Sequence, residues 1–260
     1  ENGTPLTTET QEHLSVSACA PWRIMAITFT NKAAGELKDR LCAMLGETAN
    51  DIWASTFHST CARILRRDGE RIGYSSHFTV YDTDDQRRLM KNILKELDIS
   101  EKNITPKSIL NEISRAKDSL ISPAEYALTV GDDFRLKIIS RAYTTYQKRL
   151  EDADAMDFDD LINKIVELFK KCPDVLEYYQ NRFRYLMVDE YQDTNHAQYT
   201  FVRMLAEKSG NLCVVGDDDQ SIYKFRGATI ENILSFENTF QNATVIRLEQ
   251  NYRSTQNILD

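Results

Sequence analysis

Two adjacent carboxylates, Asp189 and Glu190, close a short apolar run, Tyr185-Leu186-Met187-Val188. A buried strand that ends this way delivers acids to its carboxyl end, where open α/β sheets place their ligands. In nucleotide hydrolysis such a pair divides the work. One carboxylate holds Mg²⁺, usually through water, because that ion keeps much of its hydration shell. The next can orient and deprotonate the attacking water. A solvated acidic turn would show the same two residues, but the longer string through Gln192, Asp193, Thr194 and Asn195 is far less ordinary. A second acidic group is Asp157-Phe158-Asp159-Asp160. Its three carboxylates could suggest a metal cluster. They precede an apolar helical run, however, and acids at a helix N-terminus satisfy its free N–H groups. The helix-start reading is preferred. In a third group, Asp217-Asp218-Asp219, no metal is assigned to the last two.

These residues need elements to position them. Five short apolar runs end in polar or turn residues: 24–27, 52–54, 185–188, 212–215 and 245–248. Most are continuous rather than alternating, as strands covered on both faces are. Helical patterns follow several of them, one from Lys32 through Ala33, Ala34, Leu37, Leu41 and Leu45, another from His58 through Ala62, Ile64 and Leu65. This alternation predicts an open parallel sheet in an α/β fold. From about Asp84 to Phe169 the strand signal disappears. Leu89, Ile93 and Leu97 recur at helical spacing, as do Ile109 and Ile113, and then Ile138, Ala142, Tyr146 and Leu150. An all-helical insertion is expected there, with Pro106 and Pro123 marking helix starts.

Composition narrows the class. Of 260 residues, 42% are apolar and 28% charged, the balance of a folded globular chain. No apolar run approaches the roughly 18 residues of a membrane span, and the N-terminus does not read as a signal peptide. Five cysteines without paired spacing favour neither a disulfide framework nor a zinc knuckle, so a reduced, cytoplasmic setting is expected. The net charge of −8 counts mildly against a dedicated nucleic-acid binder, although a local groove can differ from the sum. The charge is uneven, with 12 acidic and 5 basic residues between Glu151 and Thr200. Arg87, Arg88, Lys91 and Lys95 read as a solvated helix face.

The string Asp189-Glu190-Tyr191-Gln192-Asp193-Thr194 resembles the Walker B segment of UvrD/Rep/PcrA-type helicases of superfamily 1. Other segments resemble motifs of that family, in family order. Ala26-Ile27-Thr28-Phe29-Thr30-Asn31-Lys32-Ala33-Ala34 is similar to motif Ia, and Ser55-Thr56-Phe57-His58-Ser59 to the next DNA-side motif. Asp157-Phe158-Asp159-Asp160-Leu161 matches a further segment. Val215-Gly216-Asp217 with Gln220-Ser221-Ile222-Tyr223 and Arg226-Gly227-Ala228 resembles motif III, and Gln250-Asn251-Tyr252-Arg253-Ser254 resembles motif IV. The likeness runs from about Pro21 to the end of the chain.

The resemblance implies a P-loop-NTPase-like (RecA-like) motor domain in two segments, 21–83 and 170–250. It also implies an inserted helical subdomain over 84–169, an atypical segment over 1–20, and the start of a second motor domain at 251–260. The cofactors it implies are ATP and Mg²⁺. Asp189 would bind the metal and Glu190 would be the general base. Gln220 would touch the γ-phosphate and the attacking water, Arg253 would stabilise transition-state charge, and Tyr252 would stack on adenine. On the DNA side, Phe29, His58, Tyr223 and Phe225 would form the aromatic platform for single-stranded DNA, and Arg226 would link it to the nucleotide. Phe225 stands where the family usually has Trp. It keeps a stacking face but loses area and the indole N–H, so weaker base contact is expected. The expected activity is ATP-driven 3′-to-5′ translocation on single-stranded DNA and unwinding at duplex junctions, in repair or replication and with partner proteins from those processes.

One part of the family pattern is missing. The glutamine motif and the Gly-Lys-Thr/Ser phosphate loop do not occur, and residues 1–20 hold one glycine and no lysine. Spacing back from motif Ia would put that loop near or before Glu1. The chain by itself is therefore expected to be inactive in ATP hydrolysis. Two alternatives stay open: a non-catalytic module binding single-stranded DNA or a partner, and the motor part of an AddA/RecB-type helicase-nuclease.

Overall fold

A computed structural model describes residues 18–100, 104–217, 231–234, 236–240 and 242–248. Among them the strands are β1 (Ile24–Thr28), β2 (Trp53–Thr56), β3 (Thr79–Val80), β4 (Ala155–Met156), β5 (Tyr185–Val188) and β6 (Leu212–Val214). Four of these make one parallel sheet in the order β2-β1-β5-β6. Ile27 sits opposite both Ser55 and Val188, and Val188 opposite Val214. Because the strands run in one direction, Thr28, Thr56, Val188 and Val214 all reach the same rim.

The connections follow the expected alternation. Helix α1 (Asn31–Leu45) leaves β1, with the Thr30 hydroxyl accepting from the Ala33 N–H, and ends at Gly46, whose φ of 66° suits a residue without Cβ. Helix α2 (Phe57–Asp68) leaves β2 under the Thr56 cap. Then come α3 (Thr83–Glu96), α4 (Pro106–Asp118), α5 (Pro123–Thr129) and α6 (Phe134–Asp152). Pro106 and Pro123 do open α4 and α5, where the missing proline N–H loses nothing. Helices α7 (Phe158–Lys171), α8 (Pro173–Arg182) and α9 (His196–Ala206) complete the sheet region, with two four-residue helices, Glu231–Leu234 and Phe236–Thr239, after β6. The Arg87 and Arg88 side chains lie on the outer face of α3, paired with Asp84 and Asp85.

Among the described residues two large hydrophobic cores result, beside a small cluster of Ala26, Ile52 and Ala54 under α1. One gathers Met25 and Ile27 of β1, Phe57, Ile64 and Leu65 of α2, Ile165 and Phe169 of α7, and Phe201 of α9. The other joins Met90 and Ile93 of α3, Ile109 and Ile113 of α4, and Tyr143, Tyr146 and Leu150 of α6. Two features differ from expectation. Residues 245–248 do not form a strand. Ile246 and Leu248 are 79% and 87% exposed, and among the described residues no strand pairs with this run and no core takes it in. Conversely, β4 lies inside the stretch where no strand signal exists and pairs in parallel with β3, just before that stretch. A two-residue strand is too short to show periodicity.

Between the cores lies a buried ionic group. The Lys117 ammonium, 2% exposed, sits 2.7 Å from Asp157 and 2.8 Å from Asp160. The Tyr146 hydroxyl donates to Asp157, and the Gln147 amide donates to Asp160. Burial alone would lower the Lys117 pKa, but the two carboxylates hold it above its ordinary value, so the lysine stays charged. The Asp157–Asp160 pair also closes a capping box on α7. The helix-start reading of this acidic group therefore holds, with a lysine partner that the local sequence does not announce. Replacing Lys117 by Met should leave two buried carboxylates facing each other without a counter-charge. We expect a loss of about 3–5 kcal/mol in urea unfolding. A loss below about 1 kcal/mol would show that water reaches the pair.

Candidate functional site

Strand β5 delivers Asp189 and Glu190 to the rim, and both side chains are exposed there. The Asp189 N–H still donates to the Ile27 carbonyl of β1 at 3.0 Å, so the ladder holds the first acid in place. The chain then turns sharply. Glu190 has φ 51° and ψ 41°, a left-handed conformation that costs a side-chain-bearing residue about 1–2 kcal/mol. Strain of this kind persists only where surrounding bonds fix it. Here the Glu190 N–H bonds the Asp189 carboxylate at 3.0 Å, and the Tyr191 N–H bonds the Val215 carbonyl beyond β6 at 2.9 Å.

Gln192 completes the arrangement. It is 1% exposed. Its amide N–H₂ donates to Glu190 Oε2 at 2.7 Å, and its amide oxygen accepts from the Asp217 N–H at 3.1 Å. One buried amide therefore holds the Glu190 carboxylate and the loop after β6 together. Gly216 is required by this contact, since a Cβ there would come 2.6 Å from the Gln192 amide oxygen. In the sequence Gln192 stood only as part of the string after the paired acids, with no role of its own.

Beyond the turn, Thr194 bonds the Tyr191 carbonyl and receives the Asn232 amide. Asn195 caps α9 and donates to Asp118, the last residue of α4. Burial pushes the Asp118 carboxyl up to about 6, with the Asn195 bond pulling the other way. Nearby Asp159 is pushed up to about 7 by burial and by the Asp157 charge.

An open cavity runs from Asp189 over Met187 and Cys213 to Glu36 and Arg40 of α1. Among the described residues no group of three or more His, Cys, Asp or Glu is disposed to cage a metal. Asp189 can thus supply a single carboxylate, which suits Mg²⁺, an ion usually held by one or two carboxylates, water and substrate phosphates.

The aromatic residues start from the same rim. Phe29, partly buried, follows β1 and meets Phe57 edge-on at 5.3 Å. The next residue, His58, meets Phe158 edge-on at 5.7 Å, and burial lowers its pKa, which keeps the ring neutral near pH 7. Phe158 is 46% exposed and extends this aromatic surface. It stood in the sequence only as part of an acidic segment. Asp189, Glu190, Phe29 and His58 are therefore brought to one end of the sheet. Gln220, Tyr223, Phe225, Arg226, Tyr252 and Arg253 lie outside the described residues.

Comparison with known proteins gives a consistent family. Residues 4–241 match the UvrD/REP helicase N-terminal domain, a span that includes most of the segment expected to be atypical. The chain is 55% identical over 240 residues to the ATP-dependent DNA helicase PcrA of Bacillus subtilis (strain 168), covering 92% of this chain and 32% of that protein. Identity is 54% over 241 residues to PcrA of Leuconostoc citreum, covering 92% and 32%. It is 52% over 241 residues to PcrA of Staphylococcus aureus (strain Mu50 / ATCC 700699), covering 93% and 33%. The chain spans about one third of the length of these relatives.

The Asp118–Asn195 contact gives a pH-dependent test. The folded pKa of Asp118 lies above the unfolded value, so its contribution to stability is complete at low pH. That contribution is lost as the pH rises through about 6. Asp118→Asn keeps an oxygen for Asn195 and removes the charge. It should be more stable than the parent by about 1–2 kcal/mol near pH 8, with the gap shrinking below about pH 6. Urea titrations across that range check the sign, and a gap independent of pH would refute it.

Proposed function

Because this chain belongs to the UvrD/REP helicase family, matching its N-terminal domain over residues 4–241, we propose that it forms the first motor half of an ATP-dependent DNA helicase. The whole protein would move 3′ to 5′ on single-stranded DNA and open duplex junctions, in the cytoplasm, alongside repair or replication proteins. The observation that carries the reading is Glu190, held in a strained turn with its carboxylate fixed by Gln192. A surface acid with only a solvation role does not need such a clamp.

In this reading Asp189 holds Mg²⁺, which neutralises phosphate charge when bound. The Glu190 carboxylate takes the proton from the attacking water. Gln220 and Arg253 act on the γ-phosphate, and Tyr252 stacks on the adenine. Because Gln192 also bonds the Asp217 N–H, a shift of the chain at Asp217 reaches Glu190 directly. Phe29 and His58, with Tyr223, Phe225 and Arg226, receive the single strand. In this reading the motor fold takes 21–83 with 170–250 and the helical insertion 84–169, whose last helix, α7, packs Ile165 and Phe169 into the sheet-side core.

The phosphates are the part these residues do not fit. A phosphate loop needs glycine N–H groups and a lysine, and none of the nine glycines in these 260 residues is followed by lysine. That observation favours a second reading, in which the polypeptide by itself binds single-stranded DNA without turning over ATP. The AddA/RecB-type setting has no such observation behind it.

Two outcomes are expected of the purified 260-residue chain. It should hydrolyse ATP very slowly or not at all, with or without oligo-dT. DNA-stimulated turnover that Glu190→Gln abolishes would place a phosphate site within these residues. It should also bind oligo-dT, and Phe29→Ala should weaken that binding by about 1–3 kcal/mol, the worth of one stacked base, read by fluorescence anisotropy. An unchanged affinity would remove Phe29 from the binding surface.

A further inference from the structure

A second pocket lies beside β2, the edge strand of the sheet among the described residues. It has a volume of about 200 Å³ and is lined by Lys38 of α1, Ser59 and Arg63 of α2, and Asn50, Trp53 and Ser55 around the strand. We infer that this pocket holds a backbone phosphate of the bound single strand and so lengthens the tract that begins at Phe29 and His58. The inference rests on the single-strand reading above.

The charge pattern carries it. No carboxylate lines the pocket, although the chain as a whole has eight more acids than bases, counted as 40 against 32. Three other cations between residues 30 and 72 already have acidic partners, while Arg182 adds a further positive group 5.6 Å over the same Trp53 ring. Lys32 pairs with Glu36, Arg67 with Asp68, and Arg71 with Asp174. Lys38 and Arg63 make no ion pair with a described residue, and the Arg63 guanidinium is stacked 4.0 Å over the Trp53 ring. Stacking on an aromatic plane fixes a guanidinium while leaving its N–H edges free for a phosphate oxygen.

The hydroxyls fit the same ligand. The Thr56 hydroxyl donates to Ser59 Oγ at 2.9 Å, leaving the Ser59 proton available to a further acceptor. Ser55 Oγ pairs with Thr60 Oγ1 at 2.7 Å and so sits fixed at the pocket wall. Position supplies the link to the strand. Ser55 and Ser59 flank Thr56, which lies opposite Thr28 in the sheet register, so this end of the pocket shares the rim that carries Phe29. A strand crossing that rim at Phe29 and His58 would have Lys38 and Arg63 beside it, two cations without an ion pair among the described residues. A free phosphate ion could use the same donors, and only a strand would couple the pocket to the aromatic residues.

The test is anisotropy of the 260-residue chain with labelled oligo-dT of about 4 and about 16 nucleotides, across a salt series. Lys38→Ala with Arg63→Ala should weaken binding of the longer strand about tenfold and lower its salt slope by about 0.7 for each lost phosphate contact. The shorter strand, spanned by the aromatic surface alone, should be unaffected. Arg63 packs on Trp53, so Lys38→Glu on an exposed helix face provides a variant without repacking, and it should act in the same direction. Unchanged slopes at both lengths, while Phe29→Ala still weakens binding, overturn this inference alone. A parent chain that binds neither length overturns the single-strand reading and this inference together. Titration with inorganic phosphate that shifts the Arg63 side-chain resonance, with no effect of the variants on the longer strand, overturns the strand in favour of a free anion.

Discussion

The molecule is organised around one buried cation. Lys117 sits in the last turn of α4 between the two main cores, and its ammonium is fixed by Asp157 and Asp160 at the start of α7. Removing three charges from water is costly, and it is offset only where each charge keeps its partners at close range. Tyr146 and Gln147 of α6 supply the remaining bonds. Three helices therefore share one permitted arrangement at this point. An apolar contact could slide by a fraction of a side chain, whereas this group has few other ways to satisfy its atoms.

The neighbouring residue carries that constraint to the rim of the sheet. Asp118 follows Lys117 and accepts from Asn195, which caps α9 directly after the turn bearing Glu190. Asn163 of α7 also donates to the Lys117 carbonyl. The end of α4 is thus tied both to the helix that begins with Phe158 and to the turn that orients the acids. The aromatic surface and the carboxylate pair belong to different elements, yet both are referenced to two consecutive residues of one helix. Gln192 does similar work locally by joining the β5 turn to the loop after β6.

Much of this was legible in the sequence, and the exceptions have physical causes. The four sheet strands and the helices opened by Pro106 and Pro123 follow from local pattern, because burial on two faces and a fixed proline φ leave local marks. The paired acids stood out because their chemistry requires adjacency. Lys117 did not, since a lysine in a helix is ordinary until partners 40 and 43 positions away are known to meet it. Gln192 was hidden for the same reason, as its significance lies in the Asp217 N–H 25 residues on. Residues 245–248 show the converse. They carry a strand's composition, but composition does not provide a neighbour to pair with.

The left-handed turn at Glu190 sets folding against chemistry at a single position. Glycine or asparagine would occupy this conformation more comfortably than glutamate does. Selection for thermal robustness alone would therefore drift away from the acid, since a strained working site is a place where stability is traded for activity. A redesign that scores only the fold would be drawn to this residue early. Keeping glutamate there is a cost in stability that the fold itself gives no reason to bear.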